Sequence, residues 1–309
     1  MKIAVIGTGG VGGYFGGKIA NAGFDVTFVA RGEHLQALRQ NGLIVKSIDG
    51  DFKVQNVNAT ENISDLKSID LFMIATKAWQ VKNIAKELQS TINKGAIILP
   101  MQNGVLATEE LAEFIPSENI IGGLCRIISK IEAPGIINHF GIEPTIIFGE
   151  LNNVKTERLN KLYEIFSKAG IKSKIAEDIQ AELWKKFIPI CVSALLAVTK
   201  TTYGELREIP ETRQLAIELI NEIYSLSQKI GIKIESSFVE RAVSFIDSFP
   251  YNSTSSLTRD VWEGKPSEIE YQNGTVVKLG EKYNVPTPVN RFIYNCVLPM
   301  EKKARNSVL

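Results

Sequence analysis

A glycine-rich hexapeptide near the amino terminus is the first place where residue types and spacing indicate chemistry. It has the pattern G-x-G-x-x-G, follows the apolar run 2–6 and leads into an apolar-periodic stretch that reaches Ala22. In a strand–turn–helix unit the first glycine allows a tight turn, the second admits a pyrophosphate, and the third lets helix and strand pack closely. The helix N-terminus adds free N–H groups and a positive dipole end. The alternative is a glycine-rich structural turn. We predict a dinucleotide site formed by Gly7, Thr8, Gly9, Gly10, Val11 and Gly12.

Arg31 bears on which dinucleotide binds. It closes the second apolar run, 26–30, at the place where an NAD site usually carries an acidic residue for the ribose hydroxyls. A guanidinium there suits a 2′-phosphate, because it offers charge and a planar fork of donors. Glu33, two residues on, would instead cap a helix or bind a ribose, and Arg31 itself could be a solvated surface charge. We expect NADP rather than NAD.

Two adjacent lysines interrupt the apolar run 181–191 of a predicted helix. Lys185 is expected on the solvated face. Lys186 lies four residues before Ile190 and eight before Ala194, so these three residues share one predicted helical stripe. A lysine on such a stripe usually extends its amine to water. Near a bound substrate, however, the amine can act as a general acid or anchor a carbonyl oxygen.

Polar residues near predicted helix starts in the last third of the chain form a second group of candidates. They are Ser256, Asp260 and Glu268. Such residues commonly cap a helix or place a carboxylate in its first turn. The pattern alone leaves both roles open, capping and substrate binding.

Composition argues against several classes of partner. The chain has 309 residues, of which 35 are basic and 34 acidic, and no long basic run. We therefore expect a small-molecule partner, and neither nucleic acid nor an anionic membrane. No segment reaches the roughly 18 apolar residues of a membrane span, and no charged region precedes a cleavable apolar segment. Because the first strand starts at residue 2, we expect a cytoplasmic protein.

The cysteines and histidines are few and scattered. Cys125, Cys191 and Cys296 lie far apart without a C-x-x-C motif, which is typical of reduced, buried thiols. Only His34 and His139 are present, so a histidine-rich metal site is excluded and no metal is expected.

The predicted elements place the candidate residues on two domains. Short buried apolar runs alternate with helical periodicity up to about residue 175, which is typical of a doubly wound parallel sheet, here ending in an antiparallel part. Residues 76–80 and 101–104 follow two of these strands, and in such sheets the carboxyl ends of the strands face the ligand. The class is α/β, with an N-terminal Rossmann domain over 1–177 and a C-terminal all-helical domain over 178–309.

The second domain shows long helical periodicity and no strand signals. Pro189 is expected to kink the first of its helices, because it lacks the N–H that would bond to the carbonyl of Lys185. The predicted helices cover 178–199, 210–230, 236–248, 256–263, 267–283 and 288–303.

Taken together, the motifs resemble those of the ketopantoate reductases (2-dehydropantoate 2-reductases) over nearly the whole length of the chain. The resemblance implies NADPH-dependent reduction of ketopantoate to pantoate, in pantothenate and coenzyme A biosynthesis. The matching segments are 7–12, Arg31, 76–80, 102–104, 181–186, 204–206, 255–256 and 267–274.

The resemblance also implies roles for single residues. Lys186 matches the catalytic lysine, acting as general acid, and Glu268 matches the active-site glutamate; both would also contact the substrate. Asn103 and Ser256 match substrate-binding positions. The matching cofactor positions outside the glycine motif are Arg31, Lys77, Gln80 and Asn103.

The chain departs from the family pattern where that pattern has asparagine. The residues found instead are Ile190, Ala194, Tyr203 and Ser253. Because the first two share the predicted stripe of Lys186, aliphatic groups would replace two carboxamides beside it. Reduction of ketopantoate is favoured by the remaining motifs, and the alternative is reduction of a more apolar branched 2-oxo acid. A non-catalytic NADP(H) sensor is a remote third possibility, and both a monomer and a homodimer fit the sequence.

Overall fold

The computed structural model describes residues 1–306. Its contacts divide the chain into two compact units. The first comprises 1–102 and 106–179, and the second comprises 103–105 and the chain from 180 onward.

The first unit contains all the strands found within residues 1–306, and five helices. The strands are β1 Lys2–Ile6, β2 Asp25–Val29, β3 Leu43–Ser47, β4 Phe52–Val54, β5 Asn58–Thr60, β6 Leu71–Ile74, β7 Ile97–Pro100, β8 Ile121–Arg126, β9 Ser129–Ala133, β10 Ile136–His139, β11 Thr145–Glu150 and β12 Lys172–Ile175. The helices are α1 Gly10–Asn21, α2 Gly32–Asn41, α3 Val81–Leu88, α4 Ala107–Ala112 and α5 Glu157–Lys168.

The centre of this unit is a five-stranded, wholly parallel sheet with the order β5-β2-β1-β6-β7. Strand side chains alternate between its faces. In β1, Ile3 and Val5 enter one apolar cluster, whereas Ala4 and Ile6 enter another. Both faces are therefore covered, which confirms the predicted doubly wound α/β architecture.

The later strands do not form one antiparallel continuation of this sheet. They belong to a four-stranded sheet, β4-β3-β10-β9, and a three-stranded sheet, β12-β11-β8. Both are mixed, since β10 pairs parallel with β3 and antiparallel with β9, while β11 pairs parallel with β12 and antiparallel with β8. The sequence pattern indicated strands here but carried no information on which distant strand each would join.

The second unit is helical throughout its described part, as predicted. None of the helices within residues 1–306 is long and apolar enough to cross a membrane. The helices are α6 Ile179–Ile190, α7 Ser193–Thr199, α8 Tyr203–Glu208, α9 Pro210–Ile230, α10 Phe238–Asp247, α11 Ser256–Trp262, α12 Asn273–Tyr283 and α13 Pro288–Asn306, with a 3₁₀ turn at Ile269–Tyr271 before α12.

Two predicted helices of this unit are interrupted. The single helix expected over 178–199 ends at Ile190 and restarts as α7 at Ser193. Pro189 offers no N–H, and the hydrogen bond from the Cys191 N–H to the carbonyl of Phe187 is long, at 3.4 Å. The regular helical hydrogen bonding therefore ends two residues after the proline. The helix expected over 267–283 likewise begins as the 3₁₀ turn, and α12 starts only afterwards.

Candidate functional site

The glycine motif forms the turn between β1 and α1. Gly7 has φ +92°, and a Cβ there would lie 2.9 Å from the backbone nitrogen of Thr76. At Gly12 a Cβ would overlap the Gly7 carbonyl oxygen. At Gly9, in contrast, a Cβ would meet no atom within 4 Å. The first and third glycines thus serve the turn and the packing, and the second faces open space.

The N-terminus of α1 carries no side-chain cap and no acidic residue in its first turn. Its N–H groups and positive dipole end are therefore suited to an anion. The buried hydroxyl of Thr8 donates to the carbonyl of Val29 at 3.1 Å and so ties the turn to the end of β2. The side chain of Thr8 therefore supports the turn.

Gly10 has a packing role that sequence reasoning did not separate from the motif as a whole. A Cβ on Gly10 would lie 2.5 Å from the carbonyl oxygen of Ser129 in β9. One residue after the motif, a Cβ on Gly13 would lie 2.6 Å from the side chain of Ile137 in β10. The run of glycines thus also reflects the close packing of α1 against the four-stranded sheet.

Arg31 lies just beyond β2, at the N-cap position of α2, and is exposed. Because Val29 of β2 pairs with Ile6 of β1, Arg31 lies at the same carboxyl edge of the sheet as the glycine turn. Glu33 occupies the first turn of α2, where a carboxylate interacts favourably with the helix dipole. This arrangement leaves the guanidinium, rather than the carboxylate, as the group at the strand end.

His34 contacts the β9–β10 connection, a role that the sequence did not indicate. Its Nδ1 accepts from the N–H of Gly135 at 3.1 Å. Burial lowers the pKa of His34, and its interaction with the Thr8 backbone opposes that effect in part. His34 therefore lies between the glycine turn and the β9–β10 connection.

The loop after β6 carries Lys77. Its backbone is extended, and its Nζ lies 5.8 Å from the centre of the Trp79 ring, just before the 3₁₀ turn Ala78–Gln80. The buried amide of Gln102 donates to the carbonyls of Ile74, at 2.9 Å, and Thr76, at 3.2 Å. Gln102 thus anchors the loop of Lys77 to the end of β7. In the sequence it was noted only as part of a three-residue motif.

The next two residues of that motif contact the helical unit, to which the contact division assigns them. The Asn103 amide donates to Glu268 Oε2 at 3.4 Å. Gly104 has φ +101°, and a Cβ there would lie 2.9 Å from the carbonyl oxygen of Tyr271. Glycine is required for this close approach, which brings Asn103 to Glu268. Two predicted substrate-binding residues therefore meet.

Lys186 is half-buried on α6, five residues before the helix break. The carbonyl of Cys191, in the break, accepts from the amide of Asn273 at 3.2 Å. Asn273 is fully buried, begins α12 and lies five residues after Glu268. The segments that carry the predicted lysine and glutamate are therefore joined through the break.

The first turn of α11, which carries Ser256, is also hydrogen-bonded to this helix break. Two residues after Ser256, the buried hydroxyl of Thr258 donates to the carbonyl of Ser193 at 2.8 Å. The N-cap of α11 is Ser255, whose hydroxyl accepts from the Thr258 N–H at 3.1 Å. The capping role considered for Ser256 thus belongs to its neighbour, while Ser256 lies exposed in the first turn.

Of the four positions that depart from the family pattern, only Ile190 lies near Lys186 on the same helix, and it is half-buried. Ala194 belongs to α7 and is 0% exposed, so the prediction that it flanks Lys186 on one stripe is wrong. Tyr203 is buried, with its ring stacked 4.5 Å from that of Phe249, and burial raises its pKa. The Ser253 hydroxyl donates within its own loop to the carbonyl of Pro250 at 2.6 Å.

The part of the chain that the structure describes contains no cluster of candidate metal ligands. No three His, Cys, Asp or Glu side chains there are grouped so that they could hold a metal ion.

A parallel sheet with a glycine turn at its carboxyl edge, in a chain with a helical second unit, is typical of NAD(P)-dependent oxidoreductases with a Rossmann domain. Within this class, the chain belongs to the ketopantoate reductase family. The family profile described as "Ketopantoate reductase PanE/ApbA" matches residues 3–153, and the profile of its C-terminal part matches residues 178–301.

Individual relatives agree with this assignment over the whole chain. The 2-dehydropantoate 2-reductase of Nostoc sp. is 30% identical over 100% of this chain and 98% of its own. The crystal structure of a PanE/ApbA family ketopantoate reductase from Ralstonia eutropha is 28% identical, with a TM-score of 0.91 over 99% of this chain and 100% of its own. A D-mandelate dehydrogenase, solved with NADH and anilino(oxo)acetate, shares the fold at 23% identity, with a TM-score of 0.89 over 99% of both chains.

Proposed function

We propose that this protein is an NADPH-dependent 2-dehydropantoate 2-reductase, which converts ketopantoate to pantoate in the supply of pantothenate and coenzyme A. The observation that carries the proposal is the contact between Asn103 and Glu268, made in a chain that belongs to the ketopantoate reductase family. That contact joins the loop after β7 to the acidic residue that the family resemblance assigns to the active site.

The residues that would hold the cofactor lie along the carboxyl edge of the parallel sheet. The open space at Gly9 and the N-terminus of α1 suit the pyrophosphate. Arg31 would bind the 2′-phosphate as a planar donor fork. Lys77 and Gln80 would contact the cofactor from the loop after β6. Bound NADPH supplies a hydride to C2 of the oxo acid.

Lys186 would serve as the general acid. As an ammonium group it would donate to the keto oxygen, stabilise the alkoxide that develops during reduction, and deliver the proton to it. Glu268 would accept a hydrogen bond from the hydroxyl of the substrate, with its carboxylate oriented by Asn103. Ser256 would donate to the substrate from the start of α11. These assignments combine the family resemblance with the contacts described above.

A panel of 2-oxo acids tests this proposal. Purified protein is mixed with NADPH and each acid, and the loss of NADPH absorbance is followed at steady state. We expect the highest kcat/KM with ketopantoate. An absence of turnover with every acid, despite tight binding of NADPH, would refute the proposal and favour a non-catalytic NADP(H) sensor.

A second candidate is the reduction of a more apolar branched 2-oxo acid, which Ile190 favours. It lies one helical turn after Lys186 and is partly exposed. A hydroxylated substrate would find no hydrogen-bond partner in this side chain, and leaving a hydroxyl unpaired costs about 1–3 kcal/mol. Ile190→Asn should therefore raise kcat/KM for ketopantoate relative to 2-oxoisovalerate and 2-oxoisocaproate. If the ratio is unchanged, Ile190 does not set substrate choice.

A further inference from the structure

Ser267, the residue before Glu268, is held on both sides by α13. Its backbone N–H and its hydroxyl both donate to Glu301 Oε2, at 2.8 and 2.6 Å. Its carbonyl accepts from Arg305 Nη2 at 3.2 Å. Glu301 Oε1 in turn lies 2.6 Å from Arg305 Nε. The peptide groups before and after Ser267 are therefore both fixed by one ion pair.

The second of these peptide groups also belongs to Glu268. The Ser267 carbonyl, the Glu268 nitrogen and the Glu268 Cα lie in one rigid plane, so the bond from Arg305 helps to fix the point from which the glutamate side chain leaves the chain. Glu268 has φ −92° and ψ 24°, and the 3₁₀ turn begins only at the next residue. No regular helix therefore holds its N-terminal side. The clamp formed by Ser267, Glu301 and Arg305 holds that side, while Asn103 contacts the carboxylate itself.

The clamp places a charged group where burial is costly. Glu301 is 3% exposed and Ser267 is 0% exposed. A buried carboxylate is tolerated only when it is paired and hydrogen-bonded, and apolar replacements of such pairs are often neutral for stability. Stability alone thus gives no strong reason for a charged rather than a neutral acceptor at this position. The direct connection to Glu268 does give one.

We infer that Glu301 is a positioning residue, which acts through Ser267 to aim the Glu268 carboxylate at the substrate. This inference rests on the proposed function. It predicts that Glu301 raises kcat/KM only in a protein that also has Glu268. Glu301→Gln keeps an oxygen for Ser267 but removes the charge that pairs with Arg305.

A double-mutant cycle in kcat/KM tests the inference, with NADPH and ketopantoate or whichever 2-oxo acid the wild type reduces best. Glu301→Gln should lower kcat/KM by about tenfold in the wild-type background but by less than about twofold in the Glu268→Ala background. A purely structural effect would give the same factor in both backgrounds. Ser267→Ala is a milder second variant, which keeps the backbone donor and should lose about threefold in the wild-type background only.

The matched control is Asp247→Asn, which removes the carboxylate paired with Arg213 at 2.7 Å elsewhere in the helical unit. It should change kcat/KM by less than about twofold in either background. Equal factors in both backgrounds, or no loss in either, for both Glu301→Gln and Ser267→Ala would overturn the role of Glu301. A wild type that reduces no 2-oxo acid would overturn the proposed function and the role of Glu301 with it, so the two failures are distinguishable.

Discussion

At the scale of single residues, Lys186 has the greatest predicted effect on the reaction rate. Its ammonium group would interact more strongly with the developing alkoxide than with the ground-state ketone. Lys186→Ala should therefore lower kcat/KM by at least about 100-fold, or about 3 kcal/mol of transition-state stabilisation. Initial rates with saturating NADPH measure this.

The adjacent Lys185 provides the control for that variant. It lies on the same helix and pairs with Glu235 at 3.4 Å. Lys185→Ala should leave kcat/KM within about twofold of the wild type, because this pair is partly exposed and surface pairs contribute only about 0–1 kcal/mol. Near wild-type turnover in Lys186→Ala would contradict the assignment of the general acid.

Arg31 makes a separate prediction about the cofactor. If its guanidinium binds the 2′-phosphate, NADPH should bind at least about tenfold more tightly than NADH, equivalent to about 1.4 kcal/mol. Arg31→Ala should remove most of that preference, as measured by fluorescence titration of each cofactor. Arg39→Ala is the control, because Arg39 lies in the last turn of the same helix and donates to the carbonyl of Ala59 at 3.0 Å. Equal affinities of the wild type for both cofactors would show that Arg31 does not select NADPH.

At the scale of elements, the break between α6 and α7 connects the candidate residues of the helical unit. Hydrogen bonds from α11 and α12 hold it, through Thr258 and Asn273. An uninterrupted helix would present no such irregular backbone to these side chains. The proline two residues upstream is therefore part of how the candidate site is built.

Thr258 allows an isosteric test of this connection. Thr258→Val removes the donor to the Ser193 carbonyl without changing the size of the side chain, and should lower the free energy of unfolding by about 1–2 kcal/mol. Thr258→Ser keeps the hydroxyl and should recover most of that loss. Urea unfolding followed by circular dichroism measures both. If valine is as stable as threonine, this hydrogen bond does not stabilise the break.

At the scale of the whole molecule, each unit has its own stabilising contacts. One contact in the first unit makes the free energy of unfolding depend on pH. Glu150, at the end of β11, is buried and accepts from Arg158 Nε and Thr156 Oγ1, each at 2.6 Å. Burial raises the pKa of Glu150, but the hydrogen bonds from Arg158 and Thr156 outweigh it and lower the pKa overall. The stabilisation is therefore present above the pKa of the unfolded chain and is lost as the pH falls through the folded pKa.

Glu150→Gln should consequently lower the free energy of unfolding by about 2 kcal/mol at neutral pH, between the values typical of exposed and buried pairs. The difference from the wild type should shrink as the pH falls below the ordinary glutamate pKa of about 4.3, and should be smallest below the lowered pKa of folded Glu150. Urea unfolding across this range measures it, with Glu164→Gln on the exposed face of α5 as the control. A difference that stays constant with pH would exclude the ionised carboxylate as its source.

The sequence by itself determined the class of each unit, because those properties are local. Buried apolar runs specify the strands of the parallel sheet, and 3.6-residue periodicity specifies the helices. The glycine pattern indicated a turn whose steric needs the structure explains at Gly7 and Gly12. The family, too, was recognisable from short motifs, since these keep their spacing along the chain.

Only the tertiary structure decided which residues meet. Asn103 and Glu268 are in contact although they lie 165 residues apart in the sequence, and Glu301 contacts Ser267 although they lie 34 residues apart. Local patterns also could not show that the helix after Lys186 breaks and carries Ala194 into the core. Contacts between distant segments depend on how whole helices and strands pack. That packing depends on side-chain shapes and buried hydrogen bonds from several segments at once, so it cannot be predicted from one segment.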